Sequence, residues 1–397
     1  LNLAALTQTF RINRRYLIIS GYLIATLLIL AWLLPIIGAQ RPYRLVQSTI
    51  TGLLVGGVYS LIALGIVIIN KASGVFNFAH GWMMLLGGLI FFSFYSAPSI
   101  SPIAAIGLPL VTGIMVMTTN SWRSLTDPRN LLVLAVGTAL LAVILSLQGD
   151  QWELIRAITA AAVGGVLIGL VIERFNIRPL IGQPLFAMVL MTLAVSELLH
   201  GITQLIWGSV ELPLQVFAGV QQLGIPAQIR FGEGTFERPI NVRADLLVAF
   251  LLALIAFGVF VAFFRFTSVG LSMRAIAENQ KLGQSVGLRV RTILAIAWAI
   301  AALLAAVAGV LQGGATSLSL NLPLLALLAF PAVLLGGLES IPGALIGGLV
   351  IGLAQELSNL LFPGTQVGTE LAPYVILMIV LVIRPDGLFG EKRIERI

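Results

Sequence analysis

Long apolar runs recur along the chain, separated by short polar or charged connections. A bilayer core takes about 20 apolar residues at about 1.5 Å each. Twelve runs approach that length: 16–37, 46–70, 79–96, 101–118, 130–148, 154–174, 186–206, 246–267, 291–311, 322–337, 341–361 and 371–385. Three of them, 79–96, 322–337 and 371–385, are short and interrupted by Gly or Pro. Such breaks survive in lipid only where protein or a water-filled cavity covers the freed backbone groups. The pattern predicts an all-α polytopic membrane protein with about 10–12 transmembrane or re-entrant helices. Leu-Leu-Gly-Gly-Leu occurs at 85–89 and again at 334–338. This is either an internal pseudo-repeat, as in transporters built from two related halves, or coincidence in a chain with 41 glycines.

Composition agrees. Hydrophobic residues make up 58% of the 397 and charged ones only 10%, against about 25% charged in soluble domains. The absence of cysteine excludes disulfides, thiolate catalysis and cysteine metal sites. Two histidines leave no basis for a metal centre. The net charge of +7 reads as basic residues at the cytoplasmic ends of spans, not as nucleic-acid binding. The run 16–37 follows Arg11, Arg14 and Arg15. It is longer than a signal-peptide core and lacks a convincing cleavage site, so it reads as a retained helix.

Charge also orients the spans. With the N-terminus inside and alternation along the twelve runs, 17 Lys and Arg fall inside. Six fall outside: Arg41, Arg44, Arg156, Arg230, Arg238 and Arg243. This predicts both termini in the cytoplasm. Two connections are long. Trp207–Asp245 is external and polar, and Thr267–Val290 is cytoplasmic. The others are too short for a soluble domain.

The cytoplasmic connection carries the most information. Gly270-Leu-Ser-Met-Arg-Ala-Ile-Ala-Glu-Asn-Gln-Lys-Leu-Gly-Gln-Ser-Val-Gly287 places Met273, Ile276 and Ala277 at helical spacing. Arg274 and Glu278 stand at i,i+4 and can bridge on the polar face. The segment reads as a short amphipathic helix and a glycine-punctuated turn. It is either a solvated interfacial helix or a docking helix for a partner's groove.

This loop resembles the cytoplasmic loop of bacterial ABC importer permeases. It is most similar to that of the branched-chain (hydrophobic) amino-acid permease family, of the first-permease, high-affinity permease H type. Four other stretches match that family in order: Asn77-Phe-Ala-His-Gly81, Glu173-Arg-Phe-Asn-Ile-Arg-Pro-Leu180, Leu334-Leu-Gly-Gly-Leu-Glu-Ser-Ile-Pro-Gly-Ala-Leu345 and Arg384-Pro-Asp-Gly-Leu-Phe-Gly390. The resemblance covers about 46–96 and 154–390. Residues 1–45 add an N-terminal transmembrane helix, and about 97–150 insert a helical hairpin within the permease domain, 46–397. The resemblance does not account for that insert.

The resemblance implies a permease subunit of a binding-protein-dependent importer in a bacterial inner membrane. It moves hydrophobic or neutral amino acids by alternating access. Urea or short amides are the alternative within the family, and an ion-coupled secondary transporter is the alternative outside it. Implied partners are a second homologous permease, two ATP-binding-cassette ATPases and an extracytoplasmic binding protein, with lipid around the chain. Homo- or heterodimeric pairing stays open. ATP and Mg belong to the ATPases. No Gly-x-x-x-x-Gly-Lys-Ser/Thr loop exists here, so the chain cannot cradle ATP phosphates that way; the resemblance implies a transport subunit that is no enzyme and binds no cofactor of its own. The coupling residues are Arg274, Ala275, Ala277, Glu278, Asn279, Leu282, Gly283, Val286 and Gly287, in a loop at about 267–290.

Pathway candidates come from breaks and intramembrane acids. Asn77 is expected to cap a helix beginning at Phe78, with His80 and Gly81 following. A broken helix there would turn its positive end toward a carboxylate. The competing reading is a plain turn. Gly336, Gly337, Pro342 and Gly343 form either a tight connection or a re-entrant break. Glu197 and Glu356 fall within spans and are expected to face the bundle interior or lie near an end, with His200 at i+3 from Glu197.

Overall fold

A computed structural model describes residues 41–209, 211–217, 226–278, 280–365 and 370–390. The expected helix 16–37 lies outside these residues, as do Asn279 and the side chain of Leu282. Each of the other predicted runs is a helix. These are α1 (Pro42–Ser73), α2 (His80–Ser96), α3 (Pro102–Met117), α4 (Pro128–Leu145), α5 (Asp150–Val171) and α6 (Leu185–Trp207). Then come α7 (Ala244–Phe266), the short α8 (Ser268–Glu278) and α9 (Gln280–Ser285), α10 (Val290–Ala315), α11 (Leu322–Gly336), α12 (Ile341–Leu361) and α13 (Ala372–Ile383). Among the described residues, seven helices are long and apolar enough to cross a membrane. Large apolar side chains such as Ile103, Leu132, Leu140, Leu205 and Val259 stand exposed on the outer faces. That surface suits lipid as solvent.

The centre is built from small residues, because apolar side chains gain little by leaving lipid and close backbone approach must hold helices together. Gly52, Gly56 and Ser60 of α1 face Gly348 and Gly352 of α12. The Ser60 hydroxyl donates to the Leu345 carbonyl at 2.8 Å. Gly87, Gly88 and Gly309 seat α2 on α10, and Gly165 and Gly169 seat α5 on the same helix. Trp298 of α10 is fully buried among them.

The hydrogen bonds join loops expected on one side. Arg178 donates to the Thr119 carbonyl, Thr292 to Asn120 and Lys71 to the Glu339 carbonyl. At the opposite end Leu212 pairs with Leu318, and Arg243 donates to the Ala315 carbonyl. The basic residues expected outside thereby gain local explanations. Arg156, only 1% exposed, donates to the Phe94 carbonyl at 2.6 Å and the Leu147 carbonyl at 3.2 Å. A cation is favourable at such helix C-termini. Arg41 pairs with Glu237 and Arg243 with Asp245.

One element goes beyond the all-α expectation. The long connection 207–245 contains an antiparallel hairpin, β1 (Gln228–Phe231) and β2 (Ile240–Arg243), with Gln228 opposite Arg243 and Phe231 opposite Ile240. Ile240 and Val242 alternate inward on α1 and α7. Period-two spacing over four residues is too short to stand out in a polar loop.

Candidate functional site

Two helices begin next to each other inside the bundle. After α1 ends, Gly74 takes a left-handed turn at φ 68°. The chain then runs back along the bundle and starts α2 at His80, whose ring lies against Gly65. Gly65 precedes the end of α1 by eight residues, so α2 starts roughly 12 Å inside that end. α11 starts at the same level. A Cβ on Gly81 would sit 2.5 Å from the Pro323 carbonyl oxygen. Two positive helix ends therefore converge within the apolar interior.

The convergence is closed by aromatic rings. Phe76 lies 5.2 Å from Phe78 and 4.5 Å from Phe330, and Phe78 lies 5.4 Å from Phe330. Thr192 of α6 donates to the Phe76 carbonyl and accepts from the Phe78 N–H. Asn77 is fully buried. Its side-chain oxygen accepts from the Ala79 N–H at 3.1 Å. The expected cap is thus displaced: the helix begins at His80, not Phe78, and Asn77 folds the turn before it. His80 is fully buried, and neither ring nitrogen has a hydrogen-bond partner among the described residues.

One expectation is corrected, and one pair of open readings is resolved. Glu197 does not face the interior: its side chain is 79% exposed. The inward stripe of α6 is Thr192, Val195, Leu199 and Thr203, which leaves Glu197 on the outer face. His200 stacks on Trp82 at 4.3 Å and stands 3.5 Å from the Glu197 carboxylate. Gly336, Gly337, Pro342 and Gly343 form the tight connection from α11 to α12. Gly336 and Gly343 touch backbone to backbone, and Gly337, at φ 104°, lies against Gly390. This turn belongs to the end that carries Lys71 and Arg384, away from Asn77.

The cytoplasmic-type loop is a bracket. The Thr267 hydroxyl accepts from the Gly270 N–H and starts α8. Gly270 is pressed on the Phe264 backbone, where a Cβ would clash. Met273 and Ile276 are 3% and 2% exposed, so these apolar positions hold α8 to its own bundle and offer nothing to a partner. The Arg274–Glu278 bridge is replaced. Arg274 donates to the Phe264 carbonyl and lies 5.3 Å over that ring. Outward stand Leu271, Ala275, Glu278, Gln284, Ser285, Val286, Gly287 and Arg289, with Ala277 half-buried. Gly283 is buried against Ile276.

At the other end, two cavities flank Arg243. One, of about 430 Å³, is lined by Gln215, Gln228, Asp245 and Thr316. The other, of about 440 Å³, is lined by Tyr43, Arg44, Gln47, Asn241 and Glu356. Glu356 thus faces a polar cavity at this end.

Residues 131–383 match the family described as the permease component of the branched-chain amino acid transport system. The chain belongs to this family. Its curated relatives include the high-affinity branched-chain amino acid transport system permease protein BraD of Pseudomonas aeruginosa, 28% identical over 358 residues, which cover 89% of this chain and 99% of the relative. LivH of Escherichia coli K12, with the corresponding description, is 26% identical over 356 residues, covering 88% and 97%. A probable branched-chain amino acid transport permease protein of Methanocaldococcus jannaschii is 28% identical over 244 residues, covering 59% and 74%. No solved structure matches the chain. As a family member the chain is a transport permease, not an enzyme.

The family-like Glu-Arg segment explains how the hairpin of α3 and α4 is held. Glu173, 1% exposed, receives two bonds from Arg178, at 3.0 and 2.7 Å. Arg178 also donates to the Thr119 carbonyl at 2.7 Å. Arg174 donates to Thr118 and lies 4.2 Å over the Trp122 ring. The 97–150 segment is α3, a short 3₁₀ turn (Trp122–Thr126) and α4, fastened to the end of α5 by these arginines. The motif is visible in the sequence; its role as a clasp for α3 and α4 is not.

Proposed function

We propose that the chain is one of two permeases in an ATP-driven importer of branched-chain and other neutral hydrophobic amino acids. A binding protein delivers substrate to the cavities beside Arg243, and both termini face the cytoplasm, as the charge asymmetry implies. The second permease packs on the α6 face. A mid-span carboxylate left in lipid costs at least ~2.5 kcal/mol, so Glu197 needs protein cover. The convergence of α2 and α11 is the gate, and its helix ends attract the substrate carboxylate as Phe76, Phe78 and Phe330 separate. His80 and Gly81 belong to that gate.

The bracket at α8–α9 carries the reading. Its inner face is tied to α1 and α7 through Met273, Ile276 and Arg274, while Ala275, Glu278 and Val286 stand free. A rigid element with a free outer face transmits closure of an ATPase pair to the helices. Its test is co-purification of the ATPases after gentle detergent extraction. Glu278→Arg with Val286→Arg is expected to lose the ATPases while the chain's melting temperature holds. Retention of the ATPases at wild-type level sinks the assignment. Gly283→Arg is a poor probe, because it disturbs the packing on Ile276.

A further inference from the structure

The insert encloses a site that the transport reading does not use. Between α3, α4 and α5 runs an apolar groove of about 390 Å³, lined by Val116, Val133, Leu141, Val163 and Val166. Gly137 lies on its wall, with nothing within 4 Å of an added Cβ. The Thr138 hydroxyl, also on the wall, has no hydrogen-bond partner among the described residues. The groove is bordered by the exposed apolar face of Leu132, Leu140 and Val143, which meets lipid.

One end of the groove is positively charged. The groove reaches Met117, and the next residue, Thr118, holds Arg174. Arg123 and Arg129 are exposed in the adjoining turn. Two carboxylates lie in this region, and both are engaged. Glu173 is taken by Arg178, and Asp127 accepts the Arg129 N–H to cap α4. Arg123, Arg129 and Arg174 make no ion pair among the described residues. Trp122, 58% exposed, stands over Arg174, as an aromatic does at headgroup level.

We infer that this groove is a binding site for an anionic phospholipid. An acyl chain lies along Val116, Val133 and Val163. The phosphate sits among Arg123, Arg129 and Arg174, and Trp122 flanks the glycerol. Charge selects the ligand: a zwitterionic lipid fills the groove equally well but gains less at three unpaired guanidinium groups. The bound lipid seats α3 and α4 against α5, next to the Glu173–Arg178 clasp.

Native mass spectrometry tests this on the full chain with whatever subunits travel with it. Phosphatidylglycerol and phosphatidylcholine of equal chain length are titrated separately. Wild type is expected to bind phosphatidylglycerol more tightly. Arg123→Gln with Arg129→Gln lowers that affinity about fivefold per arginine and leaves phosphatidylcholine unchanged. Gly137→Leu, which meets open space in the chain itself, weakens both lipids while the melting temperature in lipid-free detergent holds. Equal binding of the two lipids by wild type overturns the inference, as does phosphatidylglycerol binding that neither variant changes. Release of another subunit from Gly137→Leu, with lipid binding intact, assigns the groove to protein and overturns it too.

Discussion

Replacing Gly309 with leucine is expected to remove most folded protein from detergent extracts. Gly309 lies where α10 crosses α2, and an added Cβ would fall inside van der Waals contact with the Met84 carbonyl. The obstacle is backbone, so no side-chain rotation relieves it. Overpacking of a dense core typically costs about 1–3 kcal/mol, and a clash with helix backbone belongs at or above the top of that range. Total stability is only about 5–15 kcal/mol. Gly258→Leu is the control. It lies on α7 with nothing within 4 Å of an added Cβ, and its extraction yield and melting temperature are expected to match wild type. Equal yields for the two variants would show that α2 and α10 are not packed this closely.

The second large effect is at the clasp. Arg178→Met leaves the buried Glu173 carboxylate without its two donors and frees the Thr119 carbonyl. Breaking one partner from a buried pair costs about 3–5 kcal/mol. The double variant Glu173→Leu with Arg178→Met removes both charges and is expected to recover much of that loss, because a buried pair and an apolar pair of similar volume are often near-equal. Thermal unfolding of the single and double variants measures this. A double variant as unstable as the sum of the singles would mean that the two residues act separately.

Both sites show how far the sequence could be read. Apolar run length located the described helices within a few residues, because span length is fixed by the bilayer. The order of family-like motifs gave the permease reading. Placement within the fold was less accessible. The cost of a charge in lipid predicts Glu197 in the bundle interior or near an end, but the side facing the bundle is set by Thr192, Val195, Leu199 and Thr203, a stripe that mean hydropathy does not distinguish in an apolar helix. Met273 and Ile276 have the spacing of docking anchors, and spacing does not say whether the groove they fill is a partner's or the chain's own. The meeting of α2 and α11 joins residues more than 200 positions apart, and no local pattern announces it. Gly336 and Gly343 had two open readings, and their backbone contact places them in the tight connection.

The most direct test of the account is amino-acid uptake into liposomes containing this chain, a second permease and the ATPases, with leucine-loaded binding protein outside. The importer mechanism predicts that leucine accumulates only with ATP and Mg on the ATPase side, that urea does not accumulate, and that a proton or sodium gradient cannot replace ATP. Leucine accumulation by the chain alone, in ATP-free liposomes under an ion gradient, would contradict it.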